Sequence, residues 1–122
     1  MDKKIVLVVD DAADNIQLLS GILKANYKVK AATNGEKALA IAQKTPAPDL
    51  ILLDVIMPGM DGFEVCQKLK DDELTAGIPV IFVSGNFSDE DKQRGEALGA
   101  AGFVGKPIDS NNLIEMISGL VA

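Results

Sequence analysis

The sequence predicts an α/β fold, a doubly wound sheet of five parallel strands with helices on both faces. Three observations predict it. Short apolar runs alternate with helical apolar stripes five times along the 122 residues. Three of the runs are continuously apolar, as strands buried on both faces must be. No repeat, low-complexity tract or linker interrupts the alternation, so residues 1–122 read as one domain.

Ile5-Val6-Leu7-Val8-Val9 is the first continuous run and the first strand. Ile16, Leu19, Ile22 and Leu23 follow as one helical stripe. Tyr27-Lys28-Val29-Lys30-Ala31 alternates apolar with polar, which suits an edge strand. Asn34-Gly35 opens the second helix, which carries Ala38, Leu39 and Ala42. Leu50-Ile51-Leu52-Leu53 is the third strand. Asp61 caps a third helix with Val65, Cys66 and Leu69 facing in. Val80-Ile81-Phe82-Val83 is the fourth strand. Ser88 caps a fourth helix whose first turn is acidic, as the helix dipole favours. Ala101-Gly102-Phe103-Val104 is short and belongs at the other edge. Asp109 or Ser110 caps the fifth helix, with Leu113, Met116, Ile117 and Leu120 at i, i+3, i+4, i+7 spacing. The first, third and fourth strands are the most apolar and must be central. Right-handed crossovers prune the topologies and make the order 2-1-3-4-5 a natural one, and ligands in such sheets bind beyond the carboxyl ends of the strands, where the order reverses.

Composition removes several functions. The net charge of −6 repels phosphate backbones, and no basic patch argues for direct nucleic-acid binding. The longest early apolar run is too short for a membrane span or a signal sequence. Cys66 is the single cysteine, so no internal disulfide forms, and a lone thiol suits the reducing cytoplasm. The absence of histidine excludes His-based metal ligation and acid–base chemistry.

The carboxyl ends of the strands carry the chemistry. Strand one ends in Asp10-Asp11, strand three in Asp54, strand four in Ser84 and strand five in Lys106. The topology converges all of them on one rim. Three carboxylates there repel one another; a pair at about 4 Å costs on the order of 4 kcal/mol at a surface-like dielectric. Lys106 offsets one charge, and a hard divalent cation offsets two, with an oxygen-only, partly hydrated site favouring Mg²⁺. Mg²⁺ beside a carboxylate and an ammonium is a phosphoryl-transfer environment, with Asp54 left as nucleophile and the Ser84 hydroxyl able to bond a phosphoryl oxygen. Singly, each residue has a plainer reading: a helix cap for Asp10-Asp11, a solvated strand end for Asp54, a turn for Ser84-Gly85, a loop for Lys106-Pro107. Their convergence on one rim is what the plain readings leave unexplained. A metal-binding acidic pocket without chemistry stays open as the alternative.

The chain resembles the response-regulator receiver domains of two-component signalling, a flavodoxin-like (βα)5 family. The resemblance rests on Val8-Val9-Asp10-Asp11, on Leu53-Asp54-Val55-Ile56-Met57-Pro58-Gly59-Met60-Asp61-Gly62, on Val83-Ser84-Gly85, and on the stretch ending Phe103-Val104-Gly105-Lys106-Pro107. These lie in the family's order and cover residues 4–120. The resemblance implies that Asp54 accepts phosphate and that Asp10, Asp11, Asp54 and the backbone carbonyl of Ile56 hold Mg²⁺. It implies that Lys106 pairs with the phosphate, that Ser84 moves toward it, that Phe103 changes rotamer, and that the Lys106-Pro107 peptide is cis. A histidine kinase or phosphotransfer protein would donate the phosphate. A downstream protein or effector domain would read the face formed by the fourth helix, fifth strand and fifth helix, and the chain would be a regulatory domain, not an enzyme. Departures are Gly85 where alanine is usual and Phe103 where tyrosine is common; Ile56 and Asn86 stand where the family tunes phosphate lifetime. A haloacid-dehalogenase-like phosphatase would need an Asp-x-Asp pair after strand one. A flavodoxin-like carrier would need a hydroxyl- or glycine-rich loop where Asp10-Asp11-Ala12-Ala13 stands. Whether the protein stands alone or is a domain of a larger one is left open.

Overall fold

A computed structural model describes residues 3–85 and 87–121. Strands and helices alternate as β1 (Ile5–Val9), α1 (Ala13–Leu23), β2 (Lys28–Ala32), α2 (Gly35–Ala42), β3 (Leu50–Asp54), α3 (Gly62–Asp71), β4 (Val80–Ser84), α4 (Asp89–Ala97), β5 (Gly102–Gly105) and α5 (Ser110–Val121). Every strand pairing is parallel and the order is β2-β1-β3-β4-β5, as the hydrophobic pattern predicts. The three central strands are buried at every residue. Both edge strands begin one residue later than the apolar pattern suggests. Tyr27 stays outside β2 because its N–H still donates to Leu23 O, 2.9 Å away, in the turn that leaves α1.

Alternation along the strands divides the core in two. Leu7, Val9, Ile51, Leu53, Val80 and Phe82 face the side covered by α2, α3 and α4. Val6, Val8, Leu50, Leu52, Ile81 and Val83 face α1 and α5, meeting Leu19, Leu23, Leu113 and Ile117. Cys66, read as a core thiol, is fully buried on the first of these faces.

The helix starts follow their caps. Asn34 accepts from Lys37 N and Asp61 from Glu64 N, each at 2.9 Å. Ser88 and Asp91 form a reciprocal capping box. Asp109 accepts from Asn112 N at 3.2 Å, which makes it the cap of α5. α1 has Ala12 at its cap position and no side-chain cap. Asp10 Oδ1 instead braces the turn by accepting from Ala12 N at 2.9 Å.

Candidate functional site

Strand register brings the carboxylates together. Val9 of β1 lies beside Leu53 of β3. The next residues are Asp10 and Asp54, so the two acids leave neighbouring strands side by side, roughly 4.8 Å apart along the pairing direction. By alternation both belong to the α1/α5 face. Asp10 is 2% and Asp54 7% exposed, while Asp11 stands in solvent. One carboxylate oxygen from each of the three can be chosen so that all lie within 4.8 Å of one another. That set is all oxygen, doubly buried and open on one side, which fits a hard metal ion that keeps part of its water.

Lys106 reaches the same spot from the sheet edge. Its N–H donates to Ser84 O at 2.9 Å and prolongs the β4–β5 ladder past Gly105. Its ammonium Nζ lies 3.6 Å from Asp10 Oδ2 and 3.8 Å from Asp54 Oδ1, bridging both acids. The Lys106–Pro107 peptide is cis, as expected, and Thr45–Pro46 is cis as well. Ser84 ends β4 and is 3% exposed. Its strand position has the parity of Val80 and Phe82, so it belongs to the opposite face of the sheet, the one α4 covers.

Burial pushes the Asp54 carboxyl up from 3.8 to about 6. Repulsion from Asp10 adds to the rise, Lys106 opposes it, Asp11 adds a smaller push, and a hydrogen bond from the Ile56 backbone N–H opposes it again. Negative charge on Asp54 is therefore disfavoured, and a cation placed among the three acids would lower its carboxyl again.

Two positioning groups are not legible in the sequence. One is the N–H of Ile56, a residue singled out in the sequence for its carbonyl and not for its N–H; Ile56 is 76% exposed and its N–H bonds to Asp54. The other is Gly62. Its N–H donates to Val55 O at 2.9 Å, and a Cβ built on it would collide with Asp54 O and stand 2.9 Å from Val55 Cα. The start of α3 is thus pressed against the backbone that carries Asp54. Asn86 lies outside the described residues.

Residues 6–118 match the sequence profile of the response regulator receiver domain. The chain belongs to that family. It is 47% identical over 116 residues to the response regulator PleD of Caulobacter vibrioides, covering 94% of this chain and 25% of PleD. It is 35% identical to protein PilH of Pseudomonas aeruginosa, covering 96% of this chain and 97% of PilH. It thus spans a quarter of PleD and nearly all of PilH. Among solved structures, the chemotaxis protein CheY4 of Vibrio cholerae superposes with a TM-score of 0.90 at 35% identity, covering 97% of this chain and 98% of CheY4. The receiver is a phosphorylation-dependent signalling switch of two-component systems. Among its described residues, no helix is long and apolar enough to cross a membrane.

On the far side of the receiver's sheet, Phe103 of β5 stacks on Phe82 of β4 with ring centroids 6.0 Å apart. Phe87 meets Phe103 edge-on at 5.3 Å, and Phe63 of α3 meets Phe82 at 5.1 Å. Arg94 of α4 lies over the Phe63 ring, 4.5 Å from its centroid. Ser84 and this aromatic row share one face, while the acids and Lys106 share the other, with β4 between them.

Proposed function

We propose that Asp54 is the phosphoacceptor of this receiver. The observation that carries the reading is its place: a buried carboxylate at the end of a central strand, beside Asp10, with the Lys106 ammonium 3.8 Å away. An Asp54 oxygen attacks the phosphorus of a donor, and the bond from phosphorus to its leaving group breaks. The leaving group keeps the bonding electron pair: an imidazole nitrogen if the donor is a phosphohistidine, a carboxylate oxygen if it is a small acyl phosphate. The chain contains no histidine, so a phosphohistidine must come from another protein, a histidine kinase or phosphotransfer protein. Asp10, Asp11 and Asp54 would hold Mg²⁺, joined by the Ile56 carbonyl, as the family resemblance implies. When bound, it supplies neutralisation of the acids and of the incoming phosphoryl oxygens. Lys106, already shared between the two buried acids, stays beside the new phosphoryl group, and Ser84 moves from the other face toward the rim until its hydroxyl donates to a phosphoryl oxygen.

Ser84 and Phe103 then carry the event to the other face of the sheet, where α4, β5 and α5 form the surface a downstream protein or effector domain reads. The described unit acts as a single regulatory domain in the cytoplasm and turns over no substrate beyond its own phosphoryl group. Intact-mass and peptide analysis after incubation with a small acyl-phosphate donor should show one phosphate, on the peptide containing Asp54, and only with Mg²⁺ present. Phosphate on another residue, or equal labelling with a chelator, defeats the assignment.

Lys106→Ala is expected to separate uptake from response. The phosphoryl group brings roughly two negative charges, so its dominant cationic partner matters more after transfer than before. The variant should still label with Mg²⁺, more slowly. Amide exchange across residues 87–98, which should change on phosphorylation of the parent protein, should stay as in the resting form. A full exchange response in the variant contradicts the role given to Lys106.

A further inference from the structure

α4 has little to hold it. Residues 89–96 contain no apolar side chain, although helices in proteins owe most of their stability to an apolar face. Its one buried residue is Gly95. A Cβ built on Gly95 would stand 2.7 Å from both Cε1 and Cζ of Phe103 and 3.2 Å from Cδ2 of Phe82. The space that any side chain at 95 would need is already filled by the Phe103 ring. The backbone itself does not demand glycine: the glycines with positive φ among the described residues are Gly59 and Gly99. Close approach of the ring is therefore what a glycine permits here. The ring sits in a three-sided seat made by Gly95, the stacked Phe82 and the edge of Phe87.

We propose that Gly95 is a positioning residue of the switch: the notch left by its missing side chain seats the Phe103 ring under α4 and makes the helix's position depend on that ring. The consequence for signalling rests on the phosphoacceptor reading; the notch itself does not. A side chain at 95 would meet two rings of unequal freedom. Phe82 is wholly buried in a central strand and need give only a few tenths of an ångström. Phe103 is half-buried on a four-residue edge strand, and its ring can swing out. Once the ring leaves, α4 loses its closest apolar neighbour; the Arg94 contact on Phe63, the approach of Phe82 to Gly95 and the packing of Leu98 on the core remain. Ser84 and Phe103 lie on the same face of adjacent strands, so a displacement at the end of β4 reaches α4 through this seat.

The proposal predicts an inversion of sign. In an ordinary solvated helix, Gly→Ala strengthens the helix and slows local opening by about four- to fivefold. Here Gly95→Ala should speed amide exchange of residues 89–97 by about tenfold or more. With Phe103→Ala in the same chain, the 2.7 Å clash is gone and the 3.2 Å approach to Phe82 Cδ2 remains, so Gly95→Ala should no longer speed exchange and should slow it by up to the ordinary few-fold. The measurement is amide exchange on the unphosphorylated protein in four forms: parent, Gly95→Ala, Phe103→Ala and the double variant. The amides of β1 and β3 report whether the fold is intact. Slowing by Gly95→Ala in both backgrounds, or no effect in either, overturns the proposal. If Gly95→Ala alone does not fold, the double variant decides: recovery of the fold supports the seat, and failure of the double variant as well places the clash on Phe82 and overturns it. Phosphate uptake at Asp54 is scored separately on the parent protein, so its absence would defeat the phosphoacceptor reading and leave the exchange result standing.

Discussion

Replacing Asp54 by alanine is expected to abolish phosphate uptake and, at the same time, to make the metal-free protein more stable at neutral pH. The loss follows from removing the buried carboxylate at the end of β3 that faces the Lys106 ammonium. The gain follows from its titration. The folded protein holds the Asp54 proton more tightly than the unfolded chain does, with the carboxyl at about 6 against 3.8. Well below pH 3.8 both forms are protonated and the group has no effect. As pH rises from about 4 to about 6, the unfolded chain ionises first and stability falls; above that the penalty is constant. The full shift corresponds to about 3 kcal/mol. Water at the rim of the site reduces this to about 1–2 kcal/mol. Lys106 is not orphaned by the change, because Asp10 remains 3.6 Å from its ammonium.

Asp54→Asn, which keeps the shape and removes the charge, should show the same gain at pH 7.5 and much less of it near pH 4. Mg²⁺ at constant ionic strength should raise the melting temperature of the parent protein by mass action and raise that of the variant less. A variant that is less stable than the parent at pH 7.5 without metal, or that responds to Mg²⁺ equally, contradicts the electrostatic account of the site.

Gly62→Ala is expected to cost at least about 3 kcal/mol, a large share of the 5–15 kcal/mol that holds a typical small domain together. Overpacking a core ordinarily costs about 1–3 kcal/mol, because a flexible side chain gives way. Here the added methyl meets backbone: the Asp54 carbonyl oxygen, and Val55 Cα at 2.9 Å. Neither moves without shifting the end of β3, a strand buried at every residue. The hydrogen bond from Gly62 N to Val55 O would be strained by the same displacement. Urea unfolding should show a markedly lower midpoint, and the folded fraction should take up phosphate more slowly because Asp54 has been pushed. An unchanged midpoint would show that α3 can retreat, and that the close approach does not fix Asp54.

What could be read from residue order differs by element. β1, β3 and β4 were legible because a strand buried on both faces has one signature, an unbroken apolar run. β2 and β5 were placed but began one residue late, since an edge strand's pattern is weaker; for β2 the turn leaving α1 still holds the Tyr27 N–H. The gathering of Asp10, Asp11, Asp54 and Lys106 was legible because the topology brings strand ends to one rim; that Ser84 has the side-chain parity of the other face was not read from the sequence. Gly62 and Gly95 were not legible. Sequence shows a glycine only as a missing side chain, and in α4 that reads as a weakness; the backbone or ring occupying the vacated space is visible only in three dimensions. The Arg94–Phe63 contact escaped for a related reason, because α3 and α4 are joined across the sheet surface and nothing local marks the pair.

All four phenylalanines of the chain fall in one row, from Phe63 through Phe82 and Phe103 to Phe87. There is no tryptophan, and the single tyrosine, Tyr27, packs on the other face of the sheet. The consequence is spectroscopic. Tyrosine emission surveys the α1/α5 side and is blind to the aromatic row. Fluorinated phenylalanine gives four resonances, all from the side of the sheet opposite the acids. A perturbation confined to the acidic rim would leave that spectrum still. One that crosses β4 would shift several lines together, because the Phe103 ring touches both Phe82 and Phe87, and no reporter need be engineered into the chain to see it.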